Sequence, residues 1–375
     1  MTWEERELRD CVSFASGGTP NKGKAEYWGG EIPWVSSGEM SRQFIEDTSL
    51  HITDAGAEAG SRLAPAGTIF AVVRGMSLAT EFRVAYGMRT MAFNQDVKAL
   101  QVKEGLDSYF LFSSLRAHAT QIRDLSTEAA HGTKKLEMER LGAFVLRVPE
   151  IGMQRPLANI VRNYDELIET NRCRIALLEE SARLLYREWF VNLRFPGCSN
   201  MSSSGDVPHG WKRCSLGDLA TLHYGKALKD ASRIAGHVPV YGSSGVVGEH
   251  NRALVDGPAI IVGRKGNVGS IYYSHGPCFP IDTVYFVRGK EVSYFLYLLL
   301  ETMDFISSDS AVPGLNRSHA CRLPVTCPSK EALHRFEEVV AQIFEQIHVL
   351  QETNKKTAAA RDQLLPKLMS GAIRV

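Results

Sequence analysis

The chain has 375 residues, with 43 Lys and Arg against 42 Asp and Glu, a net charge of +1 and 44% hydrophobic residues. That length predicts two or three domains with proper apolar cores. The near balance of charge makes no argument for nucleic acid, so any nucleic-acid reader of this composition must sort its cations onto one face.

The amino terminus, MTWEERELRD, is charged and polar, which argues against a secretory signal peptide. The most apolar run, YFLYLLL at 294–300, is far short of the roughly 20 residues that a membrane span needs. Cys11, Cys173, Cys198, Cys214, Cys278, Cys321 and Cys327 include no CxxC pair, which disfavours zinc ribbons and redox motifs. Free thiols and a soluble, cytoplasmic protein are expected.

In chain order, residues 1–150 read as a first globular module of short β-rich runs between turns, among them Thr68-Ile-Phe-Ala-Val-Val73. Residues 151–195 read as a long helix. Leu157, Val161, Tyr164, Ile168, Asn171, Ile175, Leu178, Ala182, Leu185 and Trp189 alternate steps of four and three, the seam of a coiled coil. From about residue 155 to 193, at about 1.5 Å per residue, it would be about 58 Å long, which suits a spacer. Residues 196–206, rich in Pro, Gly and Ser, read as linker. A second module fills 207–328, with Ala259-Ile-Ile-Val262 as a strand, and a second spacer helix fills 329–375. Its seam is Phe336, Val340, Ile343, Ile347, Leu350, Asn354, Thr357, Arg361, Leu364 and Leu368.

The two halves repeat each other. Trp3, Leu8, Asp10 and Gly17 recur 208 positions later as Trp211, Leu216, Asp218 and Gly225. Ser36-Ser37-Gly38 recurs as Ser243-Ser244-Gly245, Gly67 and Arg74 as Gly257 and Arg264, and Ser126, Ala129 and Gly132 as Ser308, Ala311 and Gly314. Most of the shortening lies between Gly38 and Gly67, which predicts a surface insertion there. For the helices, Glu-Thr-Asn in both gives an offset of 183, whereas aligning Pro149 with Pro328 gives 179; the sequence leaves both registers open. The expected fold is α+β: two mixed α/β modules joined by two long antiparallel coiled-coil helices in a pseudo-twofold repeat. Two similar but non-identical modules at a fixed separation could read duplex DNA at two places, giving a split, non-palindromic target.

Gly17-Gly18-Thr19-Pro20 followed by Ile32-Pro33-Trp34-Val35-Ser36 resembles the opening of target recognition domains in type I restriction-modification specificity subunits. The segments at 238–248 and 257–269 are similar to another version of that domain, and those at 186–197 and 362–371 to the ends of the two conserved helices. The entries to the helices, at 149–156 and 328–335, are weak versions of the usual proline-rich ones, so where the helices start is open. The resemblance implies a non-catalytic DNA-recognition subunit that binds no cofactor itself. It also implies two docked methyltransferase subunits, which use S-adenosylmethionine on adenine N6 with flipping of the base, and translocase-nuclease subunits using ATP and Mg.

Arg74 and Arg264, each just after a predicted strand, are candidates to contact guanine or phosphate, against the plainer reading of a surface salt bridge. Lys265 and Asn267 accompany Arg264. Lys134 and Lys135 are matched with Asn316 and Arg317 as further contacts. Ser36, Ser37, Tyr241, Ser243 and Ser244 can bond bases or phosphates, or equally cap their own turns. Lys22, Lys24, Trp34, Lys226 and Lys229 complete the candidate DNA-contacting set. Gly263, Gly266 and Gly269 lead into Ile271-Tyr-Tyr, a predicted strand, and so read as a β-turn rather than a P-loop. Asp282 and Asn94-Gln95-Asp96 read as turn or scaffold. Asn171 and Asn354 fall on the seams, either buried to fix register or on a wet edge. Trp189 and Phe190 read as hydrophobic packing. An enzyme is disfavoured, because neither the Asn/Asp-Pro-Pro-Tyr/Phe motif of an adenine methyltransferase nor a nuclease carboxylate cluster is present. A protein-only adaptor would leave the duplicated modules unexplained. A combined cutting-and-methylating system stays open.

Overall fold

Two uninterrupted apolar runs, Ile69–Val72 and Ala259–Gly263, are strands with every residue buried, so each needs packed layers on both faces. Around them a computed structural model describes residues 3–129, 132–196, 207–305 and 314–373. The expected linker at 196–206, beyond residue 196, lies outside the described residues, as do Ser308 and Ala311 of the repeat. The chain divides into two units, Met1–Thr170 with Asn354–Val375, and Asn171–Thr353.

The first unit has strands β1 (Trp3–Glu7), β2 (Val12–Ser16), β3 (Trp28–Val35), β4 (Phe44–Ile45), β5 (His51–Ile52), β6 (Leu63–Ala64) and β7 (Ile69–Val72). These are followed by β8 (Arg74–Gly75), β9 (Val84–Gly87), β10 (Met91–Phe93), β11 (Val97–Val102), β12 (Thr127–Glu128), β13 (Lys134–Lys135) and β14 (Val145–Pro149). Its helices are α1 (Leu8–Cys11), α2 (Asp54–Gly60), α3 (Ser108–Ala117), α4 (Ala119–Asp124), α5 (Met138–Gly142) and the first part of α6 (Ile151–Tyr186). The central sheet runs β2-β11-β7-β9-β4 and a second runs β5-β3-β10-β6, in which β3 and β10 are parallel. β8, β13 and β12 form a small third sheet, and β1 closes on β14. Asp107 caps α3 by accepting from Phe110 N, and α3 presses Tyr109, Phe110, Phe112 and Leu115 into the core.

The stretch between Gly38 and Gly67 is not a surface insertion. It supplies β4, β5, α2 and β6, each strand pairing at a sheet edge, and Met40, Ile45, Ile52 and Ala64 are buried. Its apolar residues come in pairs too short to show a period, and neighbouring strands complete them.

The second unit repeats the order in fewer residues. It has β15 (Lys212–Ser215), α7 (Leu216–Leu219), β16 (His223–Tyr224), β17 (Val238–Gly242), β18 (Gly245–His250), β19 (Ala259–Gly263) and β20 (Ile271–Ser274). Then come β21 (Phe279–Pro280), β22 (Val284–Arg288), α8 (Tyr294–Thr302), α9 (Arg317–Arg322), β23 (Pro324–Cys327) and α10 (Lys330–Met369). The sheet β16-β22-β19-β20 matches β2-β11-β7-β9, the parallel pair β17–β21 matches β3–β10, and β15–β23 matches β1–β14. In both units a strand pair, a short helix and a four-strand core therefore precede a long helix.

α6 begins at Ile151 and α10 at Lys330, which selects the offset of 179 over that of 183. α6 thus starts at the first residue of the 151–195 stretch, and its 36 residues span about 54 Å. It ends in a π-turn, Arg187–Val191. Within the first unit the helices are antiparallel: Asn354 Nδ2 donates to Ile168 O at 3.3 Å while Arg361 meets Asp165, earlier on α6. Leu157, Val161, Ile168, Asn171, Val340, Ile347, Leu350 and Leu368 are buried. Tyr164, Ile175, Leu178, Leu185, Ile343, Asn354 and Leu364 are half-buried. In the second unit Phe190 packs on Phe295 at 4.8 Å and Phe336 at 4.7 Å, with Trp189 beside it.

Candidate nucleic-acid interface

In each unit a glycine lets one strand end pass against the turn before the central strand. A Cβ on Gly17 would lie 2.0 Å from Phe93 O, and one on Gly225 would lie 1.9 Å from Ile281 O. Only glycine tolerates such an approach. Gly18 N donates to Phe93 O and Lys226 N to Pro280 O, which fixes the same frame in both units.

In the second unit this frame collects cations at the end of β19. The Arg264 guanidinium lies 5.1 Å from the Tyr224 ring centre and 5.5 Å from that of Tyr285, and Arg317 lies 5.1 Å from Tyr224. Arg264 Nη1 donates to Asp282 O at 3.3 Å. Arg264 N and Lys265 N both donate to Thr283 O, and Lys265 forms a bridge with Gly314. The glycine turn leads into β20 and is tied to the serine hairpin, because Ser270 Oγ contacts both Ser243 O at 2.6 Å and Asn267 O at 2.9 Å. Among the described residues Arg264, Lys265 and Arg317 have no carboxylate partner. Burial pushes the Tyr285 phenol above its usual range, with the neighbouring Tyr224 acting in the same direction.

In the first unit Arg74 lies opposite Lys135, and Lys134 opposite Gly75, in the β8–β13 ladder. Lys135 pairs with Glu137 at 2.9 Å, whereas Arg74 and Lys134 have no carboxylate partner among the described residues. Lys98 Nζ donates to Ser16 Oγ from the neighbouring strands, and burial lowers its amine below the usual lysine range.

The pairing corrects three of the sequence matches. Val73 N donates to Asp96 O as Arg264 N does to Thr283 O, so Arg264 corresponds to Val73, and Arg74 to Lys265. Lys135 opposes Arg74 as Gly314 opposes Lys265, so Lys135 corresponds to Gly314, not to Arg317. Asn316 and Arg317 begin α9, where α5 has Glu137 and Met138. Val35 accepts from Asn94 N as Tyr241 does from Ile281 N, which puts Ser37 opposite Ser243. Length differences in the loops, one residue at the serines and the arginines and three before α9, hidden by identical letters, cause the slips, and the last also separates Gly132 from Gly314.

Trp34 leaves the surface set. It is 5% exposed and donates its indole to Gly18 O at 3.0 Å, so it is core. Asn316 Oδ1 is spent as a helix cap on His319 N. Ser36 O closes the turn to Glu39 N, and Asn94 Oδ1 accepts from Asp96 N and Val97 N as scaffold. Lys24 lies over Tyr27 and 3.6 Å from Glu26, on the loop into β3 with exposed Lys22. Lys226 and Lys229 are exposed, Ser37 and Tyr241 half-buried and Ser244 exposed.

Sequence reasoning missed Tyr224, although an aromatic between His223 and Gly225-Lys226 was a signal. It also missed the mounts of both units. Asp165 on α6 is fully buried and accepts from Tyr109 Oη at 2.8 Å, Arg116 Nη1 at 2.6 Å and Arg361 Nη1 at 2.7 Å. At the corresponding place the second unit has Phe344, stacked on Tyr294 at 4.4 Å and 7°. Glu337 there accepts from the Tyr294 and Phe295 amides, holding the start of α8, and burial raises its carboxyl above the usual range.

Two such modules, each seated on long helices and each with cations at one point of its frame that lack a carboxylate partner among the described residues, make this a protein of two repeated modules. Residues 1–180 and 208–360 match the type I restriction modification DNA specificity domain, and the chain belongs to that family. It is similar to the MjaIX specificity subunit of Methanocaldococcus jannaschii, with 24% identity over 412 residues, covering 100% of this chain and 94% of that one. It is also similar to the EcoR124I/EcoR124II specificity subunit of Escherichia coli, with 27% identity over 166 residues, 44% of this chain and 41% of that one. In fold it is similar to the type I restriction-modification S subunit from M. genitalium, with a TM-score of 0.58, 16% identity, and coverage of 98% of this chain and 96% of that chain. Among the described residues no helix is long and apolar enough to cross a membrane, and no group of three or more His, Cys, Asp or Glu could hold a metal ion.

Proposed function

We propose that the chain is the DNA-reading specificity subunit of a type I restriction-modification system, with each unit reading one half of a split, asymmetric target. The observation that carries this reading is the gathering, at one point of two copies of a frame, of cations that have no carboxylate partner among the described residues: Arg74 and Lys134 in the first, Arg264, Lys265 and Arg317 in the second. Cations left without carboxylate partners favour a polyanion, and side chains beside them can then read base edges. The differing residues around the two clusters favour different half-sites.

On this reading the long helices set the distance between the half-sites and carry two adenine-N6 methyltransferase subunits, with translocase-nuclease subunits completing the assembly. The chain selects the place; S-adenosylmethionine, ATP and Mg serve its partners. The test is a methylome: the chain is co-expressed with the methyltransferase encoded beside it in a methylation-free host, and modified adenines are mapped. The expected result is a split, asymmetric motif that disappears when the chain is omitted. A stable complex that adds no methylation would contradict the reading.

A further inference from the structure

We propose that Arg264 and Arg317, gathered on Tyr224, form one preorganised site for a backbone phosphate of duplex DNA, with Tyr224 as its positioning residue. The inference depends on the chain being a DNA-specificity subunit and adds which atoms grip the backbone and how they are held.

Both guanidinium groups lie 5.1 Å from the centre of the same tyrosine ring. That ring is half exposed, at 51%. It stands edge-on to Tyr285 at 5.0 Å, so Arg264 sits in the notch between two aromatic rings. Its Nη1 is engaged by Asp282 O, which orients the fork, and among the described residues no carboxylate takes its other donors. Arg317 enters from a different element, but the two backbones are bound together: Leu315 N donates to Arg264 O, and Tyr285 Oη donates to Leu315 O at 2.9 Å. The positions of both arginines are therefore set before any ligand arrives.

Two like charges held at one ring repel each other, and cation–π attraction offsets only part of that cost at an exposed site. Among the described residues no carboxylate neutralises either of them. An anion that accepts from both relieves the repulsion. A tetrahedral phosphate offers several oxygens to donors from separate directions, whereas a base edge takes one fork in its own plane. The convergence of two forks from two elements thus fits phosphate. The corresponding positions in the first unit are Ser16, Lys98 and Val73, so the device belongs to the second unit alone.

The experiment measures binding of the full chain, assembled with its methyltransferase, to a duplex carrying its target and to one lacking it, across a salt series. Arg264→Ala and Arg317→Ala should each weaken both duplexes about tenfold near ~0.1 M salt and reduce the slope of log K against log salt by about 0.9. Tyr224→Leu should weaken both similarly, and Tyr224→Phe, which keeps the ring, should stay within about twofold of the parent. Loss of discrimination at one base with an unchanged slope would make Arg264 a base contact and overturn the site. So would a Tyr224→Leu protein that binds like the parent. Parent complexes that bind while all variants match them would overturn the clamp alone. A parent complex with no preference for any target would overturn the functional reading as well.

Discussion

Asp165 and Arg361 meet at 2.7 Å, both under one-tenth exposed in their side chains, and join the two long helices within the first unit. Arg116 and Tyr109 bring α3 to the same carboxylate, so one buried group ties the recognition module to both helices. Desolvation makes such a group a poor source of net stability but a costly one to break. Removing the carboxylate takes the ion-pair partner from the buried Arg116 and leaves the buried Arg361 with only the more exposed Asp362. Asp165→Ala should destabilise the protein by about 3–5 kcal/mol, whereas Tyr109→Phe, which removes one hydrogen bond to the charged carboxylate, should cost about 1.5–3 kcal/mol. Urea unfolding followed by circular dichroism checks both, and equal effects would contradict the assignment.

The close approach at Gly225 sets a second expectation. A methyl group there would overlap Ile281 O, a backbone atom that cannot swing aside. Gly225→Ala should cost about 1–3 kcal/mol or more through forced backbone shifts. Gly276→Ala, with nothing within 4 Å of the added carbon, should change stability by no more than about 0.5 kcal/mol. Thermal melts of the two variants side by side give the comparison.

Gly17 and Gly225 also show what a sequence discloses. A backbone contact that excludes every side chain leaves a letter that recurs, so the frame of both modules was legible. The apolar runs at Ile69–Val72 and Ala259–Gly263 and the four-three seams were legible for the same reason: burial imposes a period. Loop lengths impose none, and the arginines at 74 and 264 drew the alignment one residue from the true pairing. Trp34 read as surface because a motif says nothing about which face a side chain occupies. Nothing in the sequence singles out Asp165, whose partners lie 49, 56 and 196 positions away in the chain.

His275 gives a pH signature to the second unit. Its ring stacks on His348 at 4.5 Å and lies 4.8 Å from Tyr273, and burial, then the neighbouring His348, lower its pKa below the ordinary 6.5. Glu345 acts in the opposite direction. Below pH 6.5 the unfolded chain takes up a proton that the folded chain resists, so stability is fully present above that pH and is lost as pH falls through it. His275→Gln should flatten this part of the profile. Chemical unfolding of both proteins between about pH 5.5 and 7.5 tests it, the window being centred on the ordinary histidine value. A parent profile without any fall below pH 6.5 would contradict the sign.

The central claim is that each unit reads its own half of one target. The most direct measurement replaces residues 207–328 with the matching module of a relative of different specificity and maps methylated adenines. The account predicts a new motif in which one half is exchanged and the other, with the spacing between them, is unchanged. A change in both halves, or an unaltered motif from an active complex, would contradict it.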